Sequence, residues 1–251
     1  MQKKLAYVVP CYNEEKRLRF QDFGPLLQKD IAICMVNDGS TDGTKRLLED
    51  FSSRHPGIQI IHLPQNSGKA EAVRQGLLQI TAGAYSHVGY FDADMATPAT
   101  ELISLWESAQ NCTSQVILGS RVEMLGTSIN RKPHRHYLGR FFATLASLSL
   151  GIKVYDTQCG AKIFANTHNL HTLLSRPFHS RWAFDIELLA RLLYPPEKTC
   201  PPLTRDDMIE VPLREWRDVS GTKLYPLAMV RTGSELWQIF RDIVKARKEK
   251  I

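Results

Sequence analysis

A chain of 251 residues, 43% of them hydrophobic, can bury one sizeable core and falls below the length at which cores split into separate domains. Its formal charge of +6 suits a phosphate-bearing or membrane-surface partner, while the lack of concentrated basic blocks argues against nucleic acid. Five widely spaced cysteines with no Cys-x-x-Cys pair give no sign of a disulfide framework or a zinc site, and a reducing cytoplasm is the expected compartment.

The first apolar run, KLAYVVP, is short and leads directly into Asn13-Glu14-Glu15, so it predicts a strand rather than a signal peptide. Further strands are predicted at DIAICMVND, GIQIIHLP, HVGYFDAD and QVILGSR. Between them TKRLLEDFSSRH, GKAEAVRQGLLQI and PATELISLWESAQ carry apolar residues at helical spacing. Alternating strands and helices, with continuously apolar strands, predict an α/β fold with a mostly parallel central sheet flanked by helices.

In such sheets ligands bind beyond the carboxyl ends of the strands. The five predicted strand ends carry Pro10 to Glu15, Asn37 to Gly43, Asn66 to Lys69, Asp92 to Asp94 and Gly119 to Arg121, and all should share one edge. Asp92 and Asp94, at i and i+2, point to one side of an extended segment and are able to address one divalent cation. Alone, an Asp-x-Asp is equally an acidic strand-to-helix turn. Asp42 and its neighbours suffice to cap the next helix but leave Asp38 unexplained. Lys69 at a helix start is unfavourable unless an anion lies nearby. Neither a Walker A loop nor a Gly-x-Gly-x-x-Gly turn is present.

The second half is less regular. The basic stretch NRKPHRHYLGR precedes the apolar run FFATLASLSLGI, which is well short of the roughly 20 residues that span a bilayer. A helix is predicted over RWAFDIELLARLL. There Asp185 is either a general base or the partner of Arg181 four residues earlier. The final segment, ELWQIFRDIVKARKEKI, places Leu236, Phe240, Ile243 and Val244 on one helical face, with a largely basic remainder. Residues 226–251 therefore read as an amphipathic helix for an anionic membrane surface, appended to a catalytic unit over 1–225.

Taken in order, VVPCYNEEKRL, VNDGSTDGT, NSGKAEAVRQG, YFDADMATP, LGSR, DTQCGAKIF, RWAFDIELL and WRDVSGTKL closely resemble the family 2 glycosyltransferases of the GT-A fold. Within them the polyprenyl-phosphate (dolichyl-phosphate) glucosyltransferase branch is the most similar. The resemblance covers roughly residues 4 to 225. It implies a Rossmann-like nucleotide-diphospho-sugar fold and inverting transfer of a hexose, with UDP-glucose the expected donor and a polyprenyl phosphate the expected acceptor. Mg2+ or Mn2+ is the implied cofactor, at Asp94 with Asp92.

Carried over by position, Pro10, Tyr12, Glu14, Asp38, Lys69, Asp92, Ala93, Asp94 and Lys223 match the donor site, with Lys223 on a mobile loop. Arg121, Arg131, Arg135 and Gln158 match the acceptor side, and Asp94, Asp185 and Arg121 the catalytic groups. Ala96 stands where the mannosyl-phosphate branch has a glutamine, which favours the glucosyl branch. No part of the sequence matches the membrane segment of many lipid-phosphate transferases. The implied location is cytoplasmic and peripheral at the membrane. Two other activities fit the residue types: transfer to a soluble or glycan hydroxyl, for which Asp185 serves as base, and nucleotidyl transfer, which releases pyrophosphate.

Overall fold

The computed structural model describes residues 4–130, 133–181, 183–196, 199–219 and 237–247, with the backbone alone at 133–138 and 141. In chain order it forms β1 (Leu5–Cys11), α1 (Gly24–Gln28), β2 (Ala32–Asp38), α2 (Thr44–Arg54), β3 (Ile58–Leu63), α3 (Lys69–Thr81), β4 (His87–Phe91), α4 (Ala99–Gln110) and β5 (Val116–Ser120). There follow β6 (Ser128–Asn130), α5 (Pro133–Leu150), β7 (Ala161–Ala165), α6 (His168–Leu174), α7 (Phe184–Leu193), β8 (Met208–Pro212) and β9 (Glu215–Arg217). The strands and helices predicted for the first half coincide with β1 to β5 and α2 to α4.

Seven strands make one sheet in the order β3-β2-β1-β4-β7-β5-β8, and β6 pairs with β9 in a small second sheet. Only β7 runs antiparallel in the large sheet, against β4 on one side and β5 on the other. The sheet is therefore mixed and mostly parallel, and the five strands read from the sequence do end on one edge. β7 differs in bringing its amino end to that edge. Phe91 pairs with Ala161, so Asp92 comes to face the Gly160 turn that leads into β7.

Alternation along the strands explains why both faces are covered. Ala6 and Val8 of β1, with Val36, Val88 and Tyr90, face α3, α6 and α7. Leu5, Tyr7 and Val9, with Ile33, Met35 and Phe91, face α4 and Phe23 on the other side. Each such fully buried large apolar side chain contributes about 1.5–3 kcal/mol by leaving water. This continuous burial is what makes the strands apolar on both faces.

Two boundaries differ from expectation. The helix predicted from Arg181 starts at Phe184, so Arg181 precedes it. The C-terminal helix is described at 237–247. Ile239 and Ile243 are buried in the core of the catalytic unit, Phe240 packs beside them, and Val244 is exposed. The buried face is thus rotated from the one predicted; Leu236 lies outside the described residues. No helix among the described residues is long and apolar enough to cross a membrane.

Candidate active site

The chain order reverses between β1 and β4: β2 and β3 lie on one side of β1 and β4 on the other. The crevice at that switch point is the expected ligand site of an open α/β sheet. Pro10 and Tyr12 at the end of β1 and Asp92, Ala93 and Asp94 after β4 border it.

The acidic pair sits in a tight turn. Met95 adopts φ 51°, its N–H donates to Asp92 O at 3.1 Å, and the Ala96 N–H donates to Asp94 Oδ1 at 3.1 Å. The Arg217 N–H donates to Ala96 O at 2.9 Å, tying the turn to β9. The two carboxylates then differ in environment. Lys69, the first residue of α3, places Nζ 2.5 Å from Asp92 Oδ1. Asp92 is the anion that the unfavourable position of Lys69 called for. Burial opposes the charge on Lys69, but Asp92 and Asp185 outweigh it and hold the amine above its ordinary value. Asp94 is pushed up to about 6, first by burial and then by the neighbouring Asp92 charge.

These groups suit a hard divalent ion. Both ligands are oxygens, as Mg2+ and Mn2+ prefer, and the Asp92 charge that, after burial, raises the Asp94 pKa also favours a dication. Among the described residues no group of three or more His, Cys, Asp or Glu side chains gathers as a metal site. Asp94, with Asp92 beside it, would therefore share the ion with ligands from a phosphorylated substrate.

The loops around this pair interlock. Asp38 is 2% exposed, and its two oxygens accept the N–H groups of Ser67 at 2.7 Å and Gly68 at 2.9 Å. Asp38 thereby anchors the loop that starts α3, which the sequence did not reveal; burial, partly offset by these bonds, raises its pKa. Gly68 adopts φ 97°, and a Cβ there would press on Arg181. Arg181 Nη2 donates to Asn66 O at 3.0 Å and Asn66 Oδ1 at 2.5 Å, gripping the same loop from outside. On the β1 side, the buried Glu14 receives Arg17 Nε at 2.8 Å, and its N–H donates to Thr44 Oγ1 at 2.7 Å. Asp42 Oδ1 accepts the Thr44 N–H at 3.0 Å at the start of α2, as its capping role predicted.

Asp185 does not pair with Arg181. Its Oδ1 accepts Lys162 Nζ at 2.6 Å and the Tyr90 hydroxyl, and Lys162 also donates to Cys159 O at 2.5 Å. Lys162 is 1% exposed near the start of β7. The sequence offered a signal for it: a lysine inside the apolar strand AKIFA needs a buried partner.

Arg121 is bound in the same way. Its Nε and Nη2 reach the two oxygens of Asp156 at 2.6 and 2.9 Å, and its guanidinium lies 5.2 Å from the Trp216 ring centroid. Despite its burial, Asp156 is held down to about 2 by Arg121. The N–H groups of Tyr155 and Asp156 donate to Glu210 at 2.7 and 2.8 Å, so Arg121 and Glu210 together pin the loop before β7. Gln158 is exposed on this loop, and its N–H donates to Asp156 Oδ1 at 3.1 Å. Asp156, Glu210 and Lys162 were not singled out from sequence. Lys223, Arg131 and the side chain of Arg135 lie outside the described residues.

The model of glycosyl transferase family 2 matches residues 7–169. The dolichyl-phosphate beta-glucosyltransferase ALG5C of Trichomonas vaginalis is 30% identical, over 93% of this chain and 70% of that protein. The dolichyl-phosphate beta-glucosyltransferase of Saccharomyces cerevisiae is 32% identical, over 88% of this chain and 69% of its own length.

Among solved structures, the mannosyltransferase PcManGT from Pyrobaculum calidifontis, in complex with GDP-Man and Mn2+, superposes with a TM-score of 0.61 at 16% identity. That match covers 98% of this chain and 65% of the other. Staphylococcus aureus TarS 1-349 in complex with UDP-GlcNAc gives 0.55 at 16% identity, over 97% of this chain and 66% of that one. At such identity the likeness speaks to the fold alone.

Proposed function

The chain belongs to glycosyl transferase family 2 and has the GT-A fold, and from that premise we propose that it transfers glucose from UDP-glucose to a polyprenyl phosphate with inversion. The observation that carries the donor half is the juxtaposition of Lys69, Asp92 and Asp94 at the β1/β4 switch point, where cationic and acidic groups face a nucleoside diphosphate together. The acceptor half rests on relatives named as dolichyl-phosphate glucosyltransferases over most of this chain.

In the proposed reaction an oxygen of the acceptor phosphate forms a bond to the sugar's anomeric carbon from the face opposite UDP, while the bond from that carbon to the β-phosphate oxygen breaks. Asp94, with Asp92 beside it, would hold a divalent ion, which would supply Lewis-acid stabilisation of the departing diphosphate. Lys69 adds positive charge at the same place, and Asp38 and Arg181 hold the loop that presents it. Tyr12, Glu14 and Asp38 border the nucleoside. Arg121 and Gln158, with Arg131 and Arg135, are assigned to the acceptor phosphate, and Lys223 to the pyrophosphate.

A phosphate monoester is already largely ionised at neutral pH and needs no base. Asp185 fits that requirement, since its Oδ1 is taken by Lys162 and Tyr90. A sugar-hydroxyl acceptor would instead need Asp185 as base. Family membership sets nucleotidyl transfer aside.

We further propose that 226–251 is a membrane-surface segment whose described helix, at 237–247, docks on the catalytic unit of 1–225. Its buried Ile239 and Ile243 bind the core, and Trp237, 65% exposed beside Arg241, faces an anionic cytoplasmic membrane. The donor assignment is tested by thermal-shift titration with UDP-glucose and GDP-mannose, with and without Mn2+. Stabilisation by UDP-glucose that requires the metal is expected; no stabilisation by either sugar overturns it.

A further inference from the structure

Four elements close a ring of charge around the donor site. β4 supplies Tyr90 and the turn after it Asp92, α3 supplies Lys69, α7 supplies Phe184 and Asp185, and β7 supplies Lys162 behind the Gly160 turn. Lys69 Nζ is 2.5 Å from Asp92 Oδ1 and 6.0 Å from the Phe184 ring centroid, and the charge of Asp185, the next residue of α7, acts on the same amine. Asp185 in turn lies 2.6 Å from Lys162. Lys162 also reaches Cys159 O at 2.5 Å, and the adjoining Gly160 packs so closely on Asp92 that a Cβ would collide with the carboxylate. The signs therefore alternate: Lys162, Asp185, Lys69, Asp92.

We propose that Lys162, which touches neither Asp92 nor the crevice, is the positioning residue for Lys69 in this ring. Its ammonium fixes Asp185 Oδ1 on one side and the Cys159–Gly160 turn on the other. Asp185 is then held beside Lys69, and Gly160 keeps Asp92 where the Lys69 amine meets it. The Tyr90 hydroxyl, on the same carboxylate oxygen, adds a second tether from the strand that carries Asp92. Full burial of a lysine in a sheet is costly without a paired anion, and here the pair sits directly behind the one lysine that opens α3. Lys162 thereby tunes donor affinity through a chain of contacts.

The inference rests on the donor-site reading above, and its test separates the two. UDP-glucose binding in the presence of Mn2+ is measured by calorimetry on the full chain and on the variants K162M, D185N and K162M/D185N. The K162M/D185N protein strands no charge in the core and keeps the test valid if K162M does not fold.

Because residues of one network do not act additively, K162M and D185N are each expected to weaken binding about tenfold, and the double variant by the same factor rather than about a hundredfold. In turnover the change falls on the donor KM, with kcat altered less than about threefold, a split that general loss of folded protein does not produce. Wild-type affinity in K162M or in the double variant overturns the inference alone, as does an additive double variant. Failure of the wild-type protein to bind UDP-glucose overturns the donor reading and this inference with it.

Discussion

Lys69 Nζ and Asp92 Oδ1 lie 2.5 Å apart, joining the first residue of α3 to the turn after β4. The contact places positive charge where a diphosphate would be held and leaves Asp94 as the less encumbered carboxylate. Replacing Lys69 with Met is expected to weaken UDP-glucose binding at least about tenfold, close to 1.4 kcal/mol. Calorimetry with Mn2+ present measures it, and unchanged affinity would remove Lys69 from the donor site.

Asp94 gives the site a pH signature. Its pKa is pushed up to about 6 by burial and by Asp92, so below that pH a proton competes with the metal. Mn2+-dependent binding of UDP-glucose is expected to weaken as pH falls from 7 through about 6 to 5 and to level off above 7. The stability of the metal-free protein runs the other way. A carboxyl whose folded pKa is raised contributes stability that is fully present below about 4 and lost as pH rises through about 6. Melting temperature against pH, with and without Mn2+, reads both; curves of identical shape would contradict the assignment.

The Arg121–Asp156 pair has the opposite sign. Asp156 is held down to about 2, so its contribution to stability is present above about pH 4 and disappears as pH falls toward 2. Asp156→Asn leaves Arg121 without its buried counter-charge and is expected to cost about 3–5 kcal/mol in urea unfolding at pH 7. A loss below about 1 kcal/mol would show that the loop before β7 is held by Glu210 alone.

Asp185→Asn distinguishes the two acceptor classes. Transfer to polyprenyl phosphate is expected to lose no more than about thirtyfold in kcat/KM, nearly all of it in the donor KM, whereas removal of a general base costs about a hundredfold to ten-thousandfold, in kcat. A loss in the larger range would make Asp185 the base of a hydroxyl-directed enzyme.

These groups were unequally legible in the sequence. β1 to β5 and α2 to α4 show their periods because β1, β2, β4 and β5 are buried on both faces, the edge strand β3 in part, and each helix on one face. Their polar ends fall on one edge as a consequence of parallel topology, and so Asp92, Asp94 and Lys69 stood out. Asp38 was visible as a strand-tip carboxylate, but its bonds to Ser67 and Gly68 depend on how a loop 29 residues later folds back. Of the two alternatives for Asp185, pairing with Arg181 falls away because Arg181 lies outside the helix: α7 begins at Phe184, and Arg181 turns to Asn66. Lys162 and Asp156 were hidden by distance, since their partners lie 23 and 35 residues away across an antiparallel insertion.

The C-terminal helix carries a separable expectation. With Ile239 and Ile243 committed to the core, the face left for a membrane is Trp237, Arg241 and Val244. The protein is expected to sediment with anionic liposomes at low salt, and W237A/R241A to lower the bound fraction severalfold without changing the melting temperature. Equal sedimentation of the two proteins would exclude this face.

The central claim is that glucose passes to a lipid phosphate. It is tested most directly by incubating the protein with UDP-[14C]glucose, Mn2+ and polyprenyl phosphate, then partitioning the products between water and organic solvent. The account predicts label in the organic phase as a glucosyl phosphate lipid, with one UDP released per glucose transferred and no transfer when the lipid lacks its phosphate. Equal transfer to a polyprenol, or transfer only to a soluble saccharide, would contradict it.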